Sequence, residues 1–205
     1  MWENSRLMDS NVHVRVPAGL AQEDLLAVCR HAEESGYGSV LVPIVRAAAL
    51  GRQTRRIGFM VECRPAWISP AFFVQQVNTL STLLPGRVHV CVVAEREDSQ
   101  TAEFLSGCRR FWSQAGPVDF EGQWYRIEKG RILTPFVSST LQRPLLFLDG
   151  GGSRSMEYAD CLWVSEDRGT VEALCAAGIP AGVKTTVARV DECREWGASH
   201  FLVDS

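Results

Sequence analysis

Ile57-Gly-Phe-Met-Val61, Arg64-Pro-Ala-Trp-Ile-Ser-Pro70, and Leu83-Leu-Pro-Gly-Arg87 running into Val88-His-Val-Cys-Val-Val-Ala94 form the stretch on which the fold turns. Residues 57–62 and 88–94 read as strands, the second an unbroken apolar run of the kind buried on both faces. Between them, residues 70–84 read as a helix, with Pro70 in its first turn and Pro85-Gly86 as its stop. A strand, a helix and a second buried strand make one unit of a parallel sheet with covered faces.

The same alternation runs outward in both directions. Upstream, residues 12–16 read as a strand and 21–34 as a helix ended by Gly36. Residues 39–44 then read as an apolar strand and 45–50 as an Ala-rich helix. Downstream, residues 99–114 read as a helix, and 118–134 hold a hairpin turning at Glu121-Gly122. Short strands follow at 145–148 and 161–164, helices at 155–159, 170–177 and 187–196, and a closing strand at 201–203. Residues 178–186 read either as a degenerate strand or as a loop leading to a helix capped by Thr185 or Thr186. With no low-complexity tract or linker, residues 1–205 read as one domain, an α/β barrel or close to it. It is short for a fold that typically takes ~250 residues.

The 205 residues are 46% apolar and 22% charged, with 21 Lys+Arg against 24 Asp+Glu. A net charge of −3 disfavours a chain built for nucleic acid. No apolar run reaches the roughly 18–20 residues that span a membrane. Met1-Trp-Glu-Asn-Ser-Arg6 has no apolar run behind it, so no secretory signal is expected and the chain is expected to be cytoplasmic. Seven widely spaced cysteines without a C-x-x-C pair read as small buried hydrophobes, not as a metal or disulfide framework. His13 and His89 alternate with valines and so point to one face of a strand, and no histidine has ligand spacing.

Taken in order, these segments resemble the luciferase-like superfamily of flavin-dependent monooxygenases, most closely its alkanesulfonate branch. The resemblance rests on the stretch 57–94 and on Val118-Asp-Phe-Glu-Gly-Gln-Trp-Tyr-Arg126. It rests also on Arg131-Ile-Leu-Thr-Pro135, Gln142-Arg-Pro-Leu-Leu-Phe147, Gly151-Gly-Ser153 and Trp196-Gly-Ala-Ser-His-Phe-Leu-Val203. It implies a truncated (β/α)8 TIM-type barrel with its site at the C-terminal ends of the strands. It further implies reduced FMN as cofactor, a small organic substrate attacked with O2, and a flavin reductase partner. A homodimer, or a heteromer with a related chain, is implied as well. The chain departs from the family where Cys91 and Ala94 replace an Asn and a Thr, where Glu95 replaces a Gly, and where a segment after the second strand, a lid and a late strand are missing.

For cofactor binding the candidates are Arg64, Trp67, Gly151, Gly152, Ser153 and Trp163. The glycines and Ser153 would hold phosphate through close backbone approach and the N–H groups of a helix start, with Arg154 adding charge. The tryptophans would wall the flavin ring or the substrate. Asp149 works against phosphate there unless it points away or caps a helix. No catalytic residue and no metal set are singled out, and Ser153 lacks triad partners at motif spacing. Two further readings stand beside the monooxygenase. One is a non-catalytic or degenerate member serving as a partner subunit or a flavin- or metabolite-binding protein; the other is a remodelled barrel with flavin-free chemistry.

Overall fold

The structure is a computed structural model and describes residues 10–205. The N-terminal stretch read for a secretory signal lies outside them. The first half runs β1 (Val12–Arg15), α1 (Gln22–Glu34), β2 (Ser39–Val42), α2 (Ile44–Gly51), β3 (Gly58–Cys63), α3 (Pro70–Leu83), β4 (Val88–Val93) and α4 (Asp98–Ser113). A hairpin of β5 (Val118–Glu121) and β6 (Arg126–Gly130) comes next. The second half runs β7 (Leu146–Asp149), α5 (Ser153–Met156), β8 (Cys161–Val164), α6 (Arg168–Ala176), β9 (Ala181–Thr185), α7 (Val190–Glu195) and β10 (His200–Asp204).

Eight parallel strands close into a barrel in the order β1-β2-β3-β4-β7-β8-β9-β10, and β5–β6 stands apart as a two-stranded sheet. This is the (β/α)8 TIM-type architecture. The barrel corrects the expectation of a missing late strand. Residues 178–186 supply β9, which pairs with β8 through Trp163 and Gly182 and with β10 through Val183 and Phe201. The strand escapes a sequence reading because Gly182 and Lys184 occupy its inward positions, so only Ala181 and Val183 carry its apolar signal.

Period-two alternation sorts every strand between two cores. Outward residues such as Val14, Val40, Val61, Val90, Leu148, Val183 and Val203 are buried beneath the helices. Inward residues Leu41, Met60, Cys91, Phe147, Trp163 and Leu202 form a second cluster inside the barrel. Phe147 and Trp163 stack there with centroids 5.2 Å apart and planes at 15°. Their neighbour in β9 has to be glycine, because a Cβ on Gly182 would lie 2.5 Å from the Trp163 ring. Six of the seven cysteines are buried, in line with their reading as hydrophobes.

The Gly86-Arg87 turn has a local structural reason. Gly86 sits at φ 72°. Arg87 then donates from Nε to the Ile57 carbonyl at 2.9 Å and from Nη2 to Thr54 Oγ1 at 2.7 Å. Its guanidinium thereby fastens the entrance of β3 to that of β4.

Below the stacked aromatics lies a polar layer. His13 Nδ1 is 2.7 Å from Ser39 Oγ, and His13 Nε2 is 3.1 Å from His200 Nδ1. Burial and the neighbouring imidazoles hold His13 well below its usual pKa, and burial first, then His200, brings His89 to about 4. A base with a depressed folded pKa binds more protons when unfolded, so stability is full above pH ~6.5 and falls as the pH drops towards 4. His89 alone should cost about 3 kcal/mol by pH 4. Denaturant unfolding between pH 7 and 4.5 should therefore show falling stability, with a shallower slope in His89→Gln. A pH-independent midpoint would contradict the buried neutral cluster.

Candidate functional site

All eight barrel strands run the same way, so their C-terminal ends converge on one mouth, where loops rather than helix packing decide the side chains. The inward positions at this end are charged. Asp149 of β7 pairs with Lys184 of β9, and Arg15 of β1 donates from Nε to Asp204 of β10 at 2.7 Å. Glu62 of β3 lies 3.7 Å from Arg64. Such half-exposed pairs are each worth about 0–1 kcal/mol. Their main effect is to leave little unpaired charge across the β7–β9–β10 side.

The mouth opens between β1, β2 and β3 into a cleft of about 440 Å³, within the ~300–1,000 Å³ of small-molecule sites. Arg15, Arg46, Glu62, Arg64 and Trp67 line it. Arg64 ends the stretch after β3, and a 3-10 turn at Pro65–Trp67 turns the indole outward, leaving Trp67 80% exposed. The Arg64 guanidinium sits 5.4 Å from the centre of that ring. The turn is fixed from two sides. Tyr125, in the hairpin connection, donates its hydroxyl to the Pro65 carbonyl at 2.7 Å, and the Ala66 N–H donates to Glu95 at 3.3 Å. Glu95 is thus committed to this loop.

The other candidates lie elsewhere. Trp163 is 3% exposed and belongs to the barrel interior, stacked on Phe147. The glycine turn lies beside α4. Gly150 and Gly151 adopt φ of 82° and 93°, backbone that glycine permits. Part of the donor set of this turn is already used. Gly152 N–H donates to Asp98 at 2.8 Å and Arg154 N–H at 3.1 Å, and the Ser155 hydroxyl donates to the same carboxylate. These donors hold the Asp98 pKa down against the opposing effect of its burial. A Cβ on Gly152 would approach Asp98 Oδ2 to 2.7 Å.

Sequence reasoning therefore brought Arg64 and Trp67 together, and it missed Arg46, Lys184 and Asp98. Arg46 lies on α2 outside any motif, Lys184 was readable only through the register of β9, and Asp98 gave no signal, because its partners lie more than fifty residues away. Asp149, which was expected to repel phosphate unless turned aside, is turned to Lys184.

Residues 10–160 match the family described as luciferase-like monooxygenase. The chain belongs to that family. Among solved structures it is similar to the monooxygenase RslO1 from Streptomyces bottropensis, at 15% identity and a TM-score of 0.72, over 95% of this chain and 92% of that one. It is also similar to EDTA monooxygenase from Chelativorans sp. BNC1, at 12% identity and a TM-score of 0.70, over 91% and 65%. An F420-dependent secondary alcohol dehydrogenase in complex with an F420–acetone adduct aligns at 19% identity and a TM-score of 0.67, over 85% and 68%. The chain thus spans about two thirds of the length of the last two and nearly all of RslO1. Among the described residues, no helix is long and apolar enough to cross a membrane.

The family implies a flavin-type group, whose fit can be tested at two places. At Gly151-Gly152-Ser153 its phosphate does not fit, because the Asp98 carboxylate already accepts from the Gly152 N–H and would repel a second anion. At the β1–β3 cleft it fits by charge and by the exposed indole. The Asp98 contacts also make a stability prediction. Asp98→Ala strands the donors around Gly152 and should lower stability by about 1–2 kcal/mol in denaturant unfolding. An unchanged midpoint would mean that Asp98 does not cap this turn.

Proposed function

We propose that the chain is a flavin-dependent monooxygenase or oxidoreductase acting on a small organic substrate, with its cofactor taken up in the β1–β3 cleft. The observation that carries this reading is the position of that cleft, at the C-terminal mouth of a barrel of this family, with an exposed tryptophan and three arginines on its walls. Trp67 offers an aromatic face to a flat ring, and the Arg64 guanidinium lies over the indole. Leu41 and Val42, which end β2, give the cleft apolar lining. When bound, a reduced flavin supplies the electrons with which O2 is activated, and the chain's residues bind, orient and shield it.

FMN is the proposed form, with alkanesulfonates among the proposed substrates. A reductase partner would supply reduced FMN in the cytoplasm. A homodimer, or a heteromer with a related chain, belongs to the same reading.

A second reading has its own observation. Asp98 fills the glycine turn, as would suit a scaffold that gave up the cofactor and works as a partner subunit. Titration with oxidised and then anaerobically reduced FMN, followed by flavin fluorescence and calorimetry, separates the two. The enzyme reading expects micromolar or tighter binding of the reduced form, weakened at least tenfold in Trp67→Ala. Absence of binding by both forms, in a colourless protein that copurifies with a larger luciferase-like chain, would favour the subunit.

A further inference from the structure

We infer that the β1–β3 cleft contains an oxyanion subsite built from Arg46, Arg64 and the N-terminus of α2, which reads the acidic group of a flat ligand. This inference deepens the flavin reading and rests on it only for the identity of the flat body.

The charge balance of the cleft points to an anion. Three guanidiniums line it against the carboxylate of Glu62. Arg15 is neutralised by Asp204, two-pronged at 2.7 and 3.3 Å. Arg64 approaches Glu62 at 3.7 Å, beyond a good hydrogen bond. Arg46 spends Nη1 on the Leu20 carbonyl at 2.7 Å and faces no carboxylate partner among the described residues. One guanidinium is in excess, tied to the wall by one backbone contact. A planar guanidinium with remaining N–H donors matches a phosphate, sulfonate or carboxylate in a two-pronged fashion.

The helix start adds to this independently of the side chains. Pro43 caps α2 without a side-chain hydrogen bond, in contrast to α3, whose Ser69 accepts from Phe72 N–H. Pro43 itself lines the cleft, so the positive end of an eight-residue helix faces the same space as Arg46. At the short helix α5, by contrast, Asp98 already accepts from the Gly152 and Arg154 N–H groups. Arg46 and the start of α2 together direct an anion to the β2–α2 turn. Beside it, the exposed face of Trp67 receives the flat part of the ligand.

The oxyanion could belong to the cofactor or to the substrate, and the same assay distinguishes them. Affinities for FMN, riboflavin and benzenesulfonate are measured at low and high salt, for the native chain, Arg46→Gln and Arg46→Lys. Thermal melting of each variant controls for folding, and riboflavin affinity controls for the shape of the cleft. A cofactor phosphate predicts FMN binding at least tenfold tighter than riboflavin, with the ratio collapsing towards one in Arg46→Gln and partly kept in Arg46→Lys. A substrate oxyanion predicts equal affinities for the two flavins and benzenesulfonate binding that is weakened by salt and lost in Arg46→Gln. Flavin binding that ignores phosphate, salt and Arg46, without benzenesulfonate binding, would overturn the subsite and leave the flavin reading intact. Benzenesulfonate binding lost in Arg46→Gln, without any flavin binding, would keep the subsite and overturn the flavin reading.

Discussion

A closed sheet of eight parallel strands has no edge, and every second side chain along it must fit inside. The rest of the molecule is arranged around that constraint. The interior takes Met60, Cys91, Phe147, Trp163 and Leu202, and the Phe147–Trp163 stack is wide enough to require glycine at 182. Beneath it the imidazoles of His13 and His89 are kept neutral by burial and by the neighbouring His200. Above it the inward positions emerge into the mouth and become charged. One pattern thus yields an apolar plug, a titratable layer and a functional surface in succession along the barrel axis.

The mouth is electrostatically lopsided. On the β7–β9–β10 side the charges cancel pairwise through Asp149–Lys184 and Asp204–Arg15. The glycine turn after β7 is closed by Asp98, so two of the backbone donors that make such turns attractive to phosphate, the Gly152 and Arg154 N–H groups, serve the protein's own carboxylate. On the β1–β3 side the balance tips the other way, towards Arg46, and Trp67 stands exposed at 80%. An anionic planar molecule approaching the mouth meets one receptive side.

Much of the architecture was legible in the sequence, because buried parallel strands such as 88–94 carry unbroken apolar runs and helix ends are marked by Pro and Gly. Strand β9 was obscure for the opposite reason. Its inward positions hold a glycine that makes room for Trp163 and a lysine that answers Asp149, neither of which registers as apolar. The site was half legible. Arg64 and Trp67 were singled out by the family resemblance, and the fold sets them side by side in the loop after β3 with the indole exposed. Trp163 looked like a cofactor wall and is a core residue, since alternation from Cys161 turns it inward. The Gly-Gly-Ser turn looked like a phosphate cradle, and only the fold brings Asp98 onto it.

The measurement that bears most directly on this account is a crystal structure of the chain with FMN bound, read at the phosphorus atom. The account predicts the phosphate within hydrogen-bond distance of the Arg46 or Arg64 guanidinium, with the Asp98 carboxylate still on the Gly152 and Arg154 N–H groups. Phosphate seated on Gly151-Gly152-Ser153, with Asp98 swung away, would contradict it and restore the glycine turn as the anion site.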